Sequence, residues 1–280
     1  MSARIAAPRR HLVLPSRGTL LVSTDVHGNG EDLRAVRDHF LAALARDGEA
    51  HWVILGDVVH APDARARAEE PALYDYPDES GAIVEEILRL QGRHPGRVHF
   101  VLGNHDYGHV GGSRTRKFYR DEVAQLESTL DAPARAAMRS LFGAALLAVA
   151  APCGALLAHG SPDDTLDALT DLDAITLPPA PDDGYHQRVL RSLLTCYGQP
   201  REVAARALAK LSTPEVALAV VIHGHDRDER GWFAEGGNQL CPVIFGARRE
   251  NKRYVRLDLA ARYADAAALR EGHEILRVYG

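Results

Sequence analysis

Five short apolar runs in this chain of 280 residues each stop at a side chain of metal-binding type. TLLVST, from Thr19, leads into Asp25-Val26-His27, and HWVILG, from His51, leads into Asp57. VHFVLG, from Val98, leads into Asn104-His105-Asp106. GALLA, from Gly154, ends in His159-Gly160, and VALAVVIHG, from Val216, ends in His225-Asp226. Short apolar runs of this kind read as buried strands. Between the first three, apolar residues recur at helical spacing: Leu33, Val36, Phe40, Ala43 and Leu44 ahead of Gly48, then Ile83, Val84, Ile87, Leu88 and Leu90 ahead of Gly92. Strands alternating with helices predict a largely parallel sheet, and its carboxyl edge is where such sheets build their sites.

The remaining pattern sets the fold class. Ser113–Leu141 reads as helix with a break at Pro133, followed by strands near Leu146–Ala150 and Ala155–Ala158. Residues 162–215 read as helix and loop, with Pro178-Pro179-Ala180-Pro181 as a connector. Further strands are expected at Val216–Ile222, Gly231–Ala234, Leu240–Phe245, Tyr254–Leu259 and Ile275–Val278. This is more strand than one doubly wound sheet uses. The expectation is an α/β fold in which two mixed β-sheets pack as a sandwich flanked by helices, a single domain over residues 1–280. The polar, proline-containing stretch Asp63–Ser80 reads as a long surface loop.

Composition narrows the function classes. With 33 basic and 38 acidic residues the net charge is −5, which argues against broad attraction to nucleic acid or an anionic membrane surface. The uncharged run from Phe142 to Ala158 is too short to span a bilayer and is broken at Pro152-Cys153-Gly154. The N-terminal stretch shows no apolar leader segment. Cys153, Cys196 and Cys241 are scattered, as expected of thiols in a reducing cytoplasm. No nucleic-acid or membrane partner is expected.

Any one of the five run ends has a bland reading. Gly56-Asp57 alone is a common turn, and a lone His159 or His225 is an ordinary hydrogen-bonded histidine. Together, in this order and strand context, they form a donor set of carboxylate, imidazole and amide oxygen without cysteine. That set suits manganese, iron, zinc or nickel rather than calcium or a structural zinc site. Asp25, His27, Asp57, Asn104, His159 and His225 are too many ligands for one catalytic ion that keeps an open position. They suit two divalent transition-metal ions about 3.5–4 Å apart that share a carboxylate. Manganese is the expected ion.

The string D-x-H, G-D, G-N-H-D, H-G, G-H resembles the calcineurin-like metallophosphoesterases from about Leu20 to Leu259. Within them the chain is most similar to the phosphoprotein phosphatase branch. Thr24-Asp-Val-His-Gly-Asn-Gly-Glu-Asp-Leu33 resembles its first block, Lys117-Phe-Tyr-Arg-Asp-Glu122 the stretch after G-N-H, and Val221-Ile-His-Gly-His-Asp226 with Val243-Ile-Phe-Gly-Ala247 its C-terminal block. Dinucleoside tetraphosphate hydrolases of that branch also carry V-L-G-N-H-D, found here from Val101. The resemblance implies that Asp25, His27 and Asp57 hold one metal, and that Asp57, Asn104, His159 and His225 hold the other, with Asp57 bridging. It makes His105 the general acid. Arg227 stands where the wider superfamily has one more histidine, as in the phosphoprotein phosphatase branch, and His223 is left a supporting role.

The chain departs from the family in the second block. G-D-x-x-D-R-G becomes Gly56-Asp57-Val58-Val59-His60-Ala61-Pro62, so the aspartate that orients the catalytic histidine is His60 and the phosphate-gripping arginine is absent. Asp106 or Asp63 is expected to replace the first, with His105 and Asp106 as the catalytic pair. Arg114, Arg116 and Arg248 are the phosphate-binding candidates, with Arg65 and Arg67 nearer in sequence. The implied activity is hydrolysis of phosphomonoesters, on phosphoserine or phosphothreonine of a protein or on a small phosphoester. Hydrolysis of dinucleoside polyphosphates or phosphodiesters at the same metals is the alternative. A non-catalytic binding scaffold is the alternative from another class, since the Asp and Arg near His60 are missing.

Overall fold

The computed structural model describes residues 9–280. The first eight residues, part of the stretch read as having no leader segment, lie outside them.

The first half of the chain alternates strand and helix. It runs β1 (His11–Val13), β2 (Thr19–Ser23), α1 (Gly30–Asp47), β3 (His51–Ile54), α2 (Ala64–Glu69), α3 (Pro71–Tyr74), α4 (Ser80–Arg93) and β4 (Val98–Phe100). Three helices follow, α5 (Asn104–Tyr107), α6 (Glu122–Thr129) and α7 (Ala132–Gly143), then the pair β5 (Ala148–Ala151) and β6 (Ala155–Leu157). The last part holds α8 (Gly184–Thr195), α9 (Arg201–Leu211), β7 (Val220–Ile222), β8 (Trp232–Glu235), β9 (Gln239–Pro242), β10 (Arg253–Asp258) and β11 (Ile275–Arg277).

Two mixed sheets result, as expected. One has the order β11-β10-β2-β3-β4 and the other β1-β5-β6-β7-β9-β8. Parallel pairing joins β2 to β3 with Leu20 opposite His51, and β3 to β4 with Trp52 opposite Val98. In the second sheet β6, β7 and β9 are parallel neighbours. Alternation along the strands sorts the core into layers. Leu20, Val22, Val53 and Leu55 pack with Leu157, Val220 and Ile222 between the sheets. Leu21, Trp52 and Ile54 point the other way and pack with Val36, Phe40, Ile83 and Ile87 of α1 and α4. Both faces are covered, so the strands are continuous apolar runs, and the first polar residue beyond each run falls at the rim. Helix α1 starts where the Asn29 side chain accepts the amides of Glu31 and Asp32, and ends where Gly48, at φ 70°, donates to the Leu44 carbonyl.

Several boundaries differ from the sequence reading. Strand β7 is shorter than Val216–Ile222 because the Ala219 and Val220 amides both turn to the Gly154 carbonyl. Strand β9 closes at Pro242, which has no amide to continue the ladder. Residues 113–121 are not helical, and the break after α6 falls at Leu130-Asp131, where the Asp131 side chain caps α7 and Pro133 sits in its first turn. The stretch read as a loop from Asp63 to Ser80 holds α2 and α3, and Tyr74 at its centre is buried. Strand β1 was not legible: it is three residues long and pairs with β5 at the edge.

Candidate metal centre

The loops after β2, β3, β4, β6 and β7 meet at one rim. The first two run side by side: the amides of Asp25, His27 and Gly28 donate to the carbonyls of Gly56, Asp57 and Val58 at 3.0–3.1 Å. Among the described residues, the non-glycine residues with positive φ are Asp25, His27, Asp57, His60 and His225. Non-glycine residues rarely adopt this region, and all five instances fall at this rim. Gly56 and Gly103 let the second and third loops touch. A Cβ on Gly56 would collide with the Gly103 backbone, and one on Gly103 with Asp57.

Asp57, Asp25 and His159 are each aimed by a partner behind them, whereas the buried Nδ1 of His27 has none. The Asp57 Oδ1 atom accepts the His105 amide at 2.8 Å, which leaves Oδ2 to face His27 and His159. Asp25 Oδ2 accepts the His225 amide at 3.0 Å and the Thr24 hydroxyl, which leaves Oδ1 toward His27. The His159 Nδ1 hydrogen goes to the Leu55 carbonyl at 2.6 Å, so Nε2 carries the lone pair. That Nε2 lies 3.0 Å from Asn104 Oδ1 and 3.5 Å from Asp57 Oδ2. On the other side His27 Nε2 stands 3.7 Å from both Asp25 Oδ1 and Asp57 Oδ2. Donors held about 2.1 Å from one ion stand roughly 3–4 Å from one another, which is the spacing here. Asp57, His159 and His225 also converge as a ligand group.

The electrostatics ask for cations. Burial, and then the charge of Asp25, pushes the Asp57 carboxyl well above its ordinary range. Asp25 is held below that range: burial works against it, and the neighbouring His27 and His159 outweigh burial. Two carboxylates this close and this buried are costly without a positive charge between them. Burial lowers His27, and burial followed by His159 pushes His225 down to about 3, so both imidazoles are neutral and present lone pairs. The residues present therefore fit divalent metal ions.

The other expected site residues fall in two groups. His105 is 5% exposed and lines the cleft over the centre. Asp106 is fully buried behind Asp57, where its carboxylate accepts the amides of Asp57 at 2.7 Å, Gly103 at 3.0 Å and Val58 at 3.1 Å. It is a tether between two loops and makes no hydrogen bond to the His105 ring. Asp63 does not reach His105 either, because its side chain caps α2. His60 takes that place, with its Nδ1 3.0 Å from His105 Nδ1. His223 is fully buried with its Nδ1 on the Gly224 carbonyl.

The arginines are also placed differently. Arg114, Arg116 and Arg248 do not line the cleft, and Arg114 is drawn aside by Asp121 at 2.5 Å. Lys117 and Arg227 line it instead. The Lys117 ammonium sits 4.3 Å over the Phe245 ring, and the Arg227 guanidinium donates to the Tyr74 hydroxyl at 3.1 Å. Tyr197 stacks on His225 with ring centres 4.9 Å apart. Lys117 could have been singled out as one of only three lysines, and Arg227 as the residue two places after a ligand. Tyr74 and Tyr197 left no sequence signal. The cleft has a volume of about 560 Å³.

No curated protein matches the chain by sequence. Among solved structures, a protein serine/threonine phosphatase from Saccharomyces cerevisiae aligns at TM-score 0.59 and 14% identity, over 90% of this chain and 77% of that one. The cold-active protein-tyrosine phosphatase of a Shewanella species aligns at TM-score 0.53 and 13% identity, over 90% and 78%. A structure described as a putative diadenosine tetraphosphatase aligns at TM-score 0.45 and 19% identity, over 89% and 92%. The likenesses to the two phosphatases show the fold. Residues 18–227 match the sequence model of the calcineurin-like phosphoesterases. With that match spanning every loop of the metal centre, the chain belongs to the calcineurin-like phosphoesterase family and is a metal-dependent phosphoric ester hydrolase.

Proposed function

We propose that the chain hydrolyses phosphomonoesters with two divalent transition-metal ions, manganese by preference, held on either side of Asp57. The observation that carries this reading is Asp57 Oδ2, which faces His27 Nε2 at 3.7 Å and His159 Nε2 at 3.5 Å; Asp57 converges with His27 and His105 on one side and with His159 and His225 on the other. Asp25, His27 and Asp57 would hold one ion; Asp57, Asn104, His159 and His225 would hold the other. Ions bound there supply positive charge opposite the phosphoryl oxygens and make a water nucleophile available near neutral pH.

The chain's own residues do the rest. Lys117 and Arg227 meet the phosphoryl group in the place expected of Arg114, Arg116 or Arg248. His105 has its Nδ1 engaged by His60, so Nε2 is the nitrogen left to face the leaving oxygen, and a second proton taken up there, which makes the ring an imidazolium, is the one it gives. Two protein cations beside two metal ions match the dianion of a monoester better than the single charge of a diester. That favours a phosphorylated protein side chain or a small phosphoester over phosphodiesters. Among the described residues no helix is long and apolar enough to cross a membrane. The three cysteines are unpaired, which supports a cytoplasmic setting.

The test is kcat/KM of the metal-loaded enzyme on p-nitrophenyl phosphate, a phosphoserine peptide, bis-p-nitrophenyl phosphate and a dinucleoside tetraphosphate. Monoesters should be fastest, with manganese restoring the most activity after chelation. Faster turnover of the diester or the dinucleotide would overturn the proposal.

A further inference from the structure

Behind the cleft, three buried imidazoles and a carboxylate stand in a row. His105 Nδ1 lies 3.0 Å from His60 Nδ1, His60 Nε2 lies 2.9 Å from His109 Nε2, and His109 Nδ1 lies 3.1 Å from Glu127 Oε1. The rings are 5%, 3% and 4% exposed, so water does not complete these bonds. They come from separate elements. His60 is in the loop after β3, held at φ 70°, with its amide on the Ser80 hydroxyl. His105 is on α5, His109 in the turn just after it, and Glu127 on α6, where its second oxygen meets Arg139 at 3.0 Å. Placing five ring nitrogens and one carboxylate oxygen so that all three internal contacts close is a demanding arrangement for a core that could have been apolar.

The row has a direction. A carboxylate only accepts, so His109 Nδ1 carries the hydrogen toward Glu127. A neutral His109 then presents a lone pair at Nε2, which makes His60 donate from its Nε2. His60 Nδ1 is left as a lone pair, and His105 must donate from Nδ1. One partly exposed carboxylate therefore decides, three hydrogen bonds away, that Nδ1 of neutral His105 holds its hydrogen, which leaves Nε2 free to take up and hand on a second proton at the leaving oxygen. We propose that His60, His109 and Glu127 are positioning residues that fix the tautomer and ring orientation of His105 through this relay, in place of the single carboxylate the family pattern puts at position 60. The proposal rests on the reading of His105 as the proton donor to the leaving oxygen.

Two neighbours belong to the same corner. The Thr115 hydroxyl lies 3.3 Å from His105 Nδ1 and 3.4 Å from His60 Nδ1. Glu122 is buried, with Oε1 on the Phe118 amide, and its Oε2 is unpartnered 3.5 Å from His105 Nδ1. Glu122 is the rival for orienting His105. At that distance it makes no hydrogen bond, whereas His60 does.

The relay predicts a dependence on the leaving group. A proton donor matters for an alkoxide and little for a nitrophenolate, and general acid catalysis is worth about 10²–10⁴-fold. Kinetics on an alkyl phosphate and on p-nitrophenyl phosphate would be measured for His105→Asn, Glu127→Ala, His109→Phe and Glu122→Gln, with metal content and thermal unfolding checked. His105→Asn should lose kcat mainly on the alkyl ester. Glu127→Ala and His109→Phe should follow it with roughly a tenfold to hundredfold loss on the alkyl ester, a much smaller loss on the aryl ester, and KM unchanged. Glu127→Ala alters a partly exposed helix position, so it keeps the test alive where His109→Phe fails to fold. His60→Asp supplies a carboxylate directly to His105, and in that background Glu127→Ala should cause no further loss.

Outcomes separate the two levels of the argument. Selective loss in His105→Asn with wild-type ratios in Glu127→Ala and His109→Phe would overturn the relay and leave the proton-donor reading standing. Selective loss in Glu122→Gln alone would give the orienting role to Glu122 and overturn the relay. Equal losses on both esters in His105→Asn would remove the proton-donor reading and the relay with it.

Discussion

Replacing Asp106 separates a structural tether from a catalytic partner. Its carboxylate accepts three buried amides, two on Oδ2 and one on Oδ1. Alanine leaves all three without partners, and each unsatisfied buried amide costs about 1–3 kcal/mol, so the total is about 3–9 kcal/mol. That is comparable with the whole folding stability of a typical domain, about 5–15 kcal/mol. Asparagine can keep its one oxygen where Oδ2 stands, which preserves two of the bonds and loses about 1–3 kcal/mol. The assay is urea unfolding of chelator-treated wild type, Asp106→Asn and Asp106→Ala, with kcat on alkyl and aryl phosphates measured on metal-loaded protein. The midpoints should fall in that order, and any loss of kcat should be alike for both esters. Wild-type midpoints combined with a loss confined to the alkyl ester would refute the tether and restore Asp106 as the partner of His105.

Lys117→Ala and Arg227→Ala should each lower kcat/KM on a phosphomonoester by about 10–100-fold, as expected for a charged hydrogen bond worth roughly 1.5–3 kcal/mol, with metal content unchanged. The same loss in Arg114→Ala, Arg116→Ala or Arg248→Ala would place the phosphate elsewhere. Lys252→Met should destabilise the fold by about 3–5 kcal/mol in thermal or denaturant unfolding, because Asp32, paired with Lys252 and with the Tyr279 hydroxyl at 2.6 Å, would keep a buried charge; an unchanged midpoint would contradict this.

The sheets and the meeting of these side chains at one rim were legible for one physical reason. Strands covered on both faces must be apolar throughout, so Asp25, Asp57, Asn104, His159 and His225 announce themselves as the first polar residues beyond the runs. Strand β1 was hidden because three residues, His11–Val13, carry no period of their own. The cations that line the cleft were not the expected arginines because arginine abundance says nothing about where a loop folds. Arg114 is spent on Asp121, while Arg227 reaches the cleft through a loop folded against Gly246 and Tyr74. Asp106 or Asp63 was expected beside the His105 ring, and neither reaches it. On the short helix α5 adjacent side chains diverge, and Asp106 turns back to the amides of the preceding strand ends. The His60–His109 contact joins residues whose spacing follows no helix or strand period, so only the packed loops reveal it.

The central claim is that Asp57 serves two metal ions. Elemental analysis after manganese loading and removal of excess metal tests it most directly, on wild type and Asp57→Asn, with folding verified by circular dichroism. Wild type should hold two ions per chain, and the variant should lose metal from both positions. One ion or none in wild type, or two ions retained by Asp57→Asn, would contradict it.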